Sequence, residues 1–586
     1  MIKVFSTKRI HPLVIVIFSF FILLSIYFQL KSIALVPFIA DEPDDLSILL
    51  HDLHLYPNLF SATAISPDQS RLPHLLALPL AWLFQDNLNQ AIIAIRGLFF
   101  TFYLGYLFIS FRLVLLITGM QTAAWFYVLL LTASSYLSAF AVFSMTTSDS
   151  LFMLFHIAVL YSFYRSWITE SSSGIFPNTI GLALLLGLCF ASKLFGLFIA
   201  ISIFIFHILY HRNQRTTRVY VPSPIQLLVL GGLFLFLLLV INLAPVGAGI
   251  KLTAAVILSG FYLAYIIFNL VKEIRKKSDP RNINIFLFWI VIAITAFNLM
   301  LIFSPVYLNM QNLAGILEWP EKWNQGLIVA GSRWWDISMI MLVKYGLISF
   351  AALLVPVVIY AYRHRNLVPS AIVLLIVLVF IVHFIIISLV KHKVTWYPLA
   401  IFPFLYLPIV WLWVHAIQVQ SKKLLIVAMA VFVVTIADNV YRYAYWFPYA
   451  HFDGAQYGRA HIGWNKSALV TYEVLPLLEK FFSRIRVKDN SKQLTVNIAV
   501  TRVPQYNRWM NEMLSSMYAS TYPYIRFESI PNITDPRYEI LLSSPIYNRE
   551  LEQELRSRGY KRNVKLAVKG IPVITAWFMN STKSAE

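Results

Sequence analysis

Apolar runs of membrane-spanning length recur along the chain, separated by short polar connections. A helix needs about 20 apolar residues to cross a bilayer. On that measure spans fall near 12–31, 93–117, 122–143, 149–167, 177–192, 195–210, 224–243, 250–271, 284–304, 338–361, 369–390, 396–417 and 423–441. The stretch 176–210 reads either as one long helix or as two short ones. With two, the basic connections HRNQRTTR (211–218), KEIRKKSDPR (272–281), RHR (363–365) and SKK (421–423) share the side of the N-terminus. That agrees with the excess of Lys and Arg on cytoplasmic loops. With one, those four loops would face the wrong way. The pattern predicts about 13 transmembrane helices, with a cytoplasmic N-terminus and the C-terminus outside. The apolar run after MIKVFSTKRIHP is longer than a signal-peptide core, so it reads as an uncleaved first helix.

Three polar stretches are left on the outer side. They are a first loop over 31–92, a second over 304–337, and a tail over 446–586. In the first loop, DDLSILLHDLH has the spacing of an interfacial amphipathic helix. SPDQSRLPHLLALPLAWLF follows as a second interfacial piece, too short and Pro-broken to span. In the tail the period changes. LTVNIAV (494–500) and YEILLSS (around 539–544) read as strands, and 505–518 and RELEQELRSRG (549–559) as helices. VKLAVKGIPVITAWF reads as a closing hairpin turning at Gly570. The expected architecture is a polytopic α-helical membrane unit over 1–445 and a small extramembrane α/β domain over 446–586. No internal repeat stands out, against the inverted repeats of many transporters.

Composition agrees. The 586 residues are 59% hydrophobic and 13% charged, with mean hydropathy +0.70. Soluble domains are about half apolar and about a quarter charged. The net charge of +20 follows from basic cytoplasmic loops and calls for no nucleic acid. The one cysteine, Cys189, excludes an internal disulfide and any Cys-based metal site. Compact loops fit a bacterial inner membrane with a periplasmic tail. The sequons at Asn465, Asn532 and Asn580 would matter only in a eukaryotic lumen.

Candidate chemistry lies where ionisable groups meet span ends. Such groups are costly unless they face a partner or a polar cavity. Asp41 and Glu42 close the first span in FIADEPDD, Asp149 stands between the third and fourth in TTSDSLFMLF, and Lys193 between the fifth and sixth in GLCFASKLFGL. Lys391, His392, Lys393 and Tyr397 precede a late span in LVKHKVTWYPLAIFP. Each has a plainer reading: helix capping for Asp149, snorkelling for Lys193 and Arg71. Cations on the outer side ask for an anionic headgroup or a phosphate, and Arg71 suits phosphate through its forked donors. A carboxylate can act as general base on an acceptor hydroxyl, and cations can stabilise a departing phosphate. A lipid-linked phosphate substrate would use both.

In the order and sidedness of these motifs the chain resembles the GT-C glycosyltransferases, in the branch of protein O-mannosyltransferases and aminoarabinose transferases. The matching residues are the Asp41-Glu42 pair, Asp149, the SKLFG stretch with Lys193, and the basic-then-Tyr-Pro entry KHKVTWYP. The resemblance implies a GT-C fold and inverting transfer of a sugar from a polyprenyl-phosphate donor at the outer face, with a lipid, glycan or protein acceptor. It implies Asp41 as general base, Glu42 as an orienting group, and Asp149 beside them in the catalytic set. Donor phosphate binding then falls to Lys193, Arg71, Lys391, His392, Lys393 and Tyr397. Departures are Pro43, Asp44 and Asp45 after the pair, and SRLP in place of a basic-Pro-Pro signature. The branch requires no cofactor or metal. A divalent cation on Asp41, Glu42 and Asp149 together with phosphate stays open, as hard oxygen ligands suit one. HDLH, with His51 and His54, reads as surface. Trp334-Trp335-Asp336 is similar to the WWD of oligosaccharyltransferases, a lesser alternative, but its place before a span suits the interfacial aromatic belt. A lipid transporter or flippase and a non-catalytic scaffold are the readings from other classes.

Overall fold

The structure, a computed structural model, describes residues 12–35, 71–84, 88–134, 136–138, 149–165, 175–193, 195–213, 336–363, 371–389, 397–446, 475–484, 494–499, 522–527, 539–543, 555–568 and 571–579, with a few single residues between them. It is mostly helical. In chain order the helices are α1 (Pro12–Leu35), α2 (Arg71–Leu83), α3 (Leu88–Thr118), α4 (Gln121–Ala133), α5 (Asp149–Tyr164), α6 (Ile175–Ser192) and α7 (Gly196–Asn213). Then follow α8 (Asp336–Tyr345), α9 (Leu347–Arg363), α10 (Ala371–Leu389), α11 (Leu407–Gln418), α12 (Lys422–Trp446) and α13 (Leu475–Arg484). Among the described residues three stretches are long and apolar enough to cross a membrane: Ile93–Thr118, Ala371–Leu389 and Lys422–Tyr441. The spans expected over 224–243, 250–271 and 284–304 lie outside the described residues, apart from isolated positions. So do the DDLSILLHDLH helix and the loop over 304–335.

Where one helix or two was open at 176–210, there are two. Three other expected spans are corrected. The span at 338–361 is α8 and α9, parted at Gly346, whose φ of 95° is open to glycine and strained for other residues. The span at 396–417 does not begin as an α-helix. Tyr397–Ala400 and Phe402–Tyr406 are 3-10 turns, and α11 starts only at Leu407. Pro398, Pro403 and Pro408 remove a backbone donor at each turn, so the regular ladder cannot form earlier. The span at 122–143 is interrupted after Ala133, where Ser134 takes an extended conformation (ψ 113°); residues 136–138 are helical again, and 139–143 lie outside the described residues.

The packing centre gathers around the second 3-10 turn. The Tyr127 hydroxyl donates to the Pro403 carbonyl (3.1 Å) and that of Tyr345 to the Leu405 carbonyl (3.4 Å). Phe402 meets Tyr136 and Tyr345, at ring separations of 4.6 and 5.6 Å. Phe126 is stacked between Phe432 (3.9 Å) and Trp413 (4.9 Å), which ties α4 to α12 and α11. Along α1, Val16, Phe20, Leu23 and Tyr27 are exposed, as lipid-facing side chains would be.

The strands are β1 (Leu494–Ala499), β2 (Ile525–Phe527), β3 (Ile540–Ser543), β4 (Tyr560–Val568) and β5 (Ile571–Met579), in the order β2-β1-β3-β5-β4. β1 lies parallel to β2 and β3, while β5 pairs antiparallel with β3 and β4. Strands expected at 494–500 and 539–544 are β1 and β3, and the expected closing hairpin is β4–β5. Its turn residue Gly570 lies outside the described residues, as do nearly all of 505–518 and the first part of 549–559. β2 and α13 were not foreseen. In α13, Leu478, Phe481 and Phe482 are buried while Glu479 and Lys480 are exposed. Phe481 packs on Phe578 (5.9 Å) and Phe482 on Phe527 (5.8 Å), so the apolar stripe covers the sheet from β2 to β5.

Candidate active site

Asp149 is the first residue of α5, where the positive end of a helix dipole favours a carboxylate. It is 1% exposed. Lys193 follows the end of α6, and its backbone N–H closes the last turn onto the Cys189 carbonyl (3.1 Å). Two residues on, Phe195 begins the turn into α7. A methyl group on Gly196 would lie 2.8 Å from the Cys189 carbonyl carbon and 2.9 Å from the Phe190 nitrogen. Both are backbone atoms that cannot swing aside, so the tight return of the chain needs glycine there.

That turn delivers Lys193 to Asp149. The ammonium contacts Oδ1 at 2.5 Å across 44 residues of sequence. Side-chain exposure is 19% for the lysine and 1% for the aspartate, so the acid is buried and the base partly exposed. The Phe195 ring lies 5.6 Å below Nζ, within cation–π range. The other carboxylate oxygen, Oδ2, is buried and has no hydrogen-bond partner among the described residues. Capping and snorkelling therefore do not exhaust these two residues: they form one ion pair.

The remaining named residues are not brought to this pair by the described structure. Asp41, Glu42, Lys391, His392, Lys393, His51 and His54 lie outside the described residues, as do Trp334 and Trp335. Arg71 opens α2 and Tyr397 opens the first 3-10 turn, and of these two the backbone alone is described. Asp336 opens α8. Among the described residues no three His, Cys, Asp or Glu side chains come together as a metal site. Two of the three carboxylates that such an ion would use, Asp41 and Glu42, are not among those residues.

Several polar groups were missed in the apolar runs. Arg96 in α3 is 1% exposed and donates from Nη1 to the Ile33 carbonyl at the end of α1 (3.0 Å). The lone cation in AIIAIRGLFF was the available signal, by the same cost argument that singled out Lys193. Near the same end of α1, Gln29 donates to Ser138 Oγ (2.6 Å) and the Thr132 carbonyl (3.3 Å). Ser25 and Ser138 donate to that carbonyl too, both at 2.9 Å, and so seal the open end of α4. His156 of α5 and His383 of α10 meet edge to face at 5.2 Å, both buried, with each Nε2 lacking a partner among the described residues. Asp438 of α12 accepts from the Ser349 N–H (3.3 Å) and hydroxyl (2.6 Å), capping α9 just past the Gly346 break.

No protein-family model and no curated protein matches the chain. Among solved structures it is similar, at low identity, to an ArnT and to an archaeal oligosaccharyltransferase. One is ArnT from Cupriavidus metallidurans bound to undecaprenyl phosphate, at 13% identity and a TM-score of 0.46, covering 97% of this chain and 99% of that one. Another is the archaeal oligosaccharyltransferase AglB from Archaeoglobus fulgidus with an inhibitory peptide and a dolichol-phosphate, at 11% identity and a TM-score of 0.40. It covers 96% of this chain and 74% of that one. The apo form of the Archaeoglobus fulgidus oligosaccharyltransferase is similar at 10% identity and a TM-score of 0.42, over 91% and 69% of the two chains.

Proposed function

We propose that this chain is an inverting glycosyltransferase that uses a polyprenyl-phosphate sugar at the outer face of a bacterial inner membrane. Residues 1–445 form the catalytic unit, and 446–586 form a periplasmic domain beside it. The observation that carries this reading is the buried Asp149–Lys193 pair. An ammonium has three donors. Asp149 accepts from one of them and balances the charge. A lysine ammonium at this place suits the oxygens of a lipid phosphate. Arg71, Lys391, His392, Lys393 and Tyr397 complete the phosphate site in this reading. Asp41 takes the proton from the acceptor hydroxyl, whose oxygen forms the new bond to the anomeric carbon. The bond from that carbon to the phosphate oxygen breaks, and the polyprenyl phosphate leaves with the electron pair. Glu42 orients the acceptor side.

The test is a transfer assay on the purified full-length chain with labelled polyprenyl phosphate sugars, following release of polyprenyl phosphate. Release by the wild type that is lost in Asp41→Asn is the expected result. Equal release in both would remove Asp41 as the base. Absence of release with every donor and acceptor preparation, alongside lipid movement across vesicles, would replace the transferase by a lipid transporter.

A further inference from the structure

The unpartnered oxygen of Asp149 bears on which sugars the site accepts. This inference rests on the transferase reading above. A buried carboxylate oxygen without a donor is costly, on the order of 1–3 kcal/mol or more. Asp149 is 1% exposed, its Oδ1 is held by Lys193, and Oδ2 has no hydrogen-bond partner among the described residues. That free edge is therefore shaped for a donor brought by a ligand.

The chemistry of a glycosyl phosphate narrows what the donor is. With its phosphate on Lys193, the anomeric carbon stands next to the lysine and so next to Asp149. Two ring positions flank that carbon. One is the ring oxygen, which accepts hydrogen bonds and cannot donate them. The other is C2 with its substituent. An ionised carboxylate is acceptor-only, so it repels the ring oxygen and attracts a hydroxyl or amide N–H on C2. We propose that Asp149, through Oδ2, reads the C2 substituent of the donor sugar and makes the enzyme selective for donors carrying a hydrogen-bond donor there. Positive charge develops at the anomeric carbon as the phosphate departs, and bonds to the 2-hydroxyl strengthen in such transition states. Asp149 thus contributes to rate as well as to recognition.

The experiment uses full-length protein with undecaprenyl phosphate mannose, glucose, galactose and arabinose. For each sugar that is turned over, the 2-, 3- and 4-deoxy donors are compared with the parent by kcat/KM. The 2-deoxy donor is expected to lose about 100-fold or more, since a site built to bind a hydroxyl rejects the analogue lacking it. The 3- and 4-deoxy donors are expected to lose far less. In Asp149→Ala the 2-deoxy penalty collapses, so parent and 2-deoxy donors react at similar, low rates. In Lys193→Ala the penalty persists while KM for the parent rises. A 2-deoxy donor handled as well as the parent, or a penalty undiminished in Asp149→Ala, overturns the inference and leaves the transferase intact. If Asp149→Ala does not fold, the deoxy series on the wild type decides alone. Failure of every parent donor overturns the transferase reading, and this inference with it.

Discussion

Lys193 faces two demands at once, because Asp149 needs its charge and a phosphate would need its donors. Removing the lysine strands a carboxylate that is 1% exposed. Breaking a buried pair from one side costs about 3–5 kcal/mol, whereas replacing both partners by uncharged side chains of similar size is often neutral. Lys193→Met is thus expected to lower thermal stability sharply. The double variant Asp149→Asn with Lys193→Met should recover most of that loss and none of the transfer activity. Melting curves in detergent, paired with release assays, check both halves. A double variant as unstable as the single one would mean that the pair is not what stabilises this corner.

At the scale of elements, the site depends on how α6 hands over to α7. Gly196 sits against the Cys189 and Phe190 backbone, so Gly196→Ala must push the turn outward. Overpacking of this kind costs about 1–3 kcal/mol. A displacement of order 1 Å at a reacting group costs about 100-fold in rate. We expect transfer to drop by about that factor while the protein remains folded, as read by size-exclusion profile and turnover. Retained activity would mean that the turn yields without moving Lys193. The elements were legible in uneven measure. Helices rich in Leu, Ile, Val and Phe, such as α10, could be read directly, and so could the alternation that marks β1, β3 and the β4–β5 hairpin. The break at Gly346 could not, because one glycine inside MLVKYGLISF is compatible with an unbroken helix. The slow start of α11 was written in its three prolines and was read as a span because the residues between them are apolar. Asp149 and Lys193 stood out as charges in the wrong solvent. Their pairing, 44 residues apart, is a matter of packing that no local pattern encodes. Arg96, Gln29, His156, His383 and Asp438 were hidden by hydropathy averaging, which dilutes one polar group among many apolar ones.

For the whole molecule, the proposed sidedness follows from charge distribution and is open to a direct check. In a Cys189→Ala background, a single cysteine at Lys565, exposed on β4, is expected to react with a membrane-impermeant maleimide applied from the periplasmic side. One at Ser278, in the basic connection 272–281, should react only after permeabilisation. The opposite pattern would invert the proposed arrangement and place Asp149 and Lys193 on the cytoplasmic side, away from the proposed donor. Equal labelling of both would point to mixed insertion, against the sorting that basic loops impose.

The native cysteine has a further use. Cys189 is 0% exposed, and its own carbonyl anchors Lys193 and crowds Gly196. A thiol reagent can therefore reach it only when this corner transiently unzips. Where closing outpaces reaction, the alkylation rate reports the population of that opened form. Adding the carrier lipid should slow the reaction if it clasps the lysine. The unmodified protein thus holds a chemical clock one helical turn from the group whose occupancy it would time.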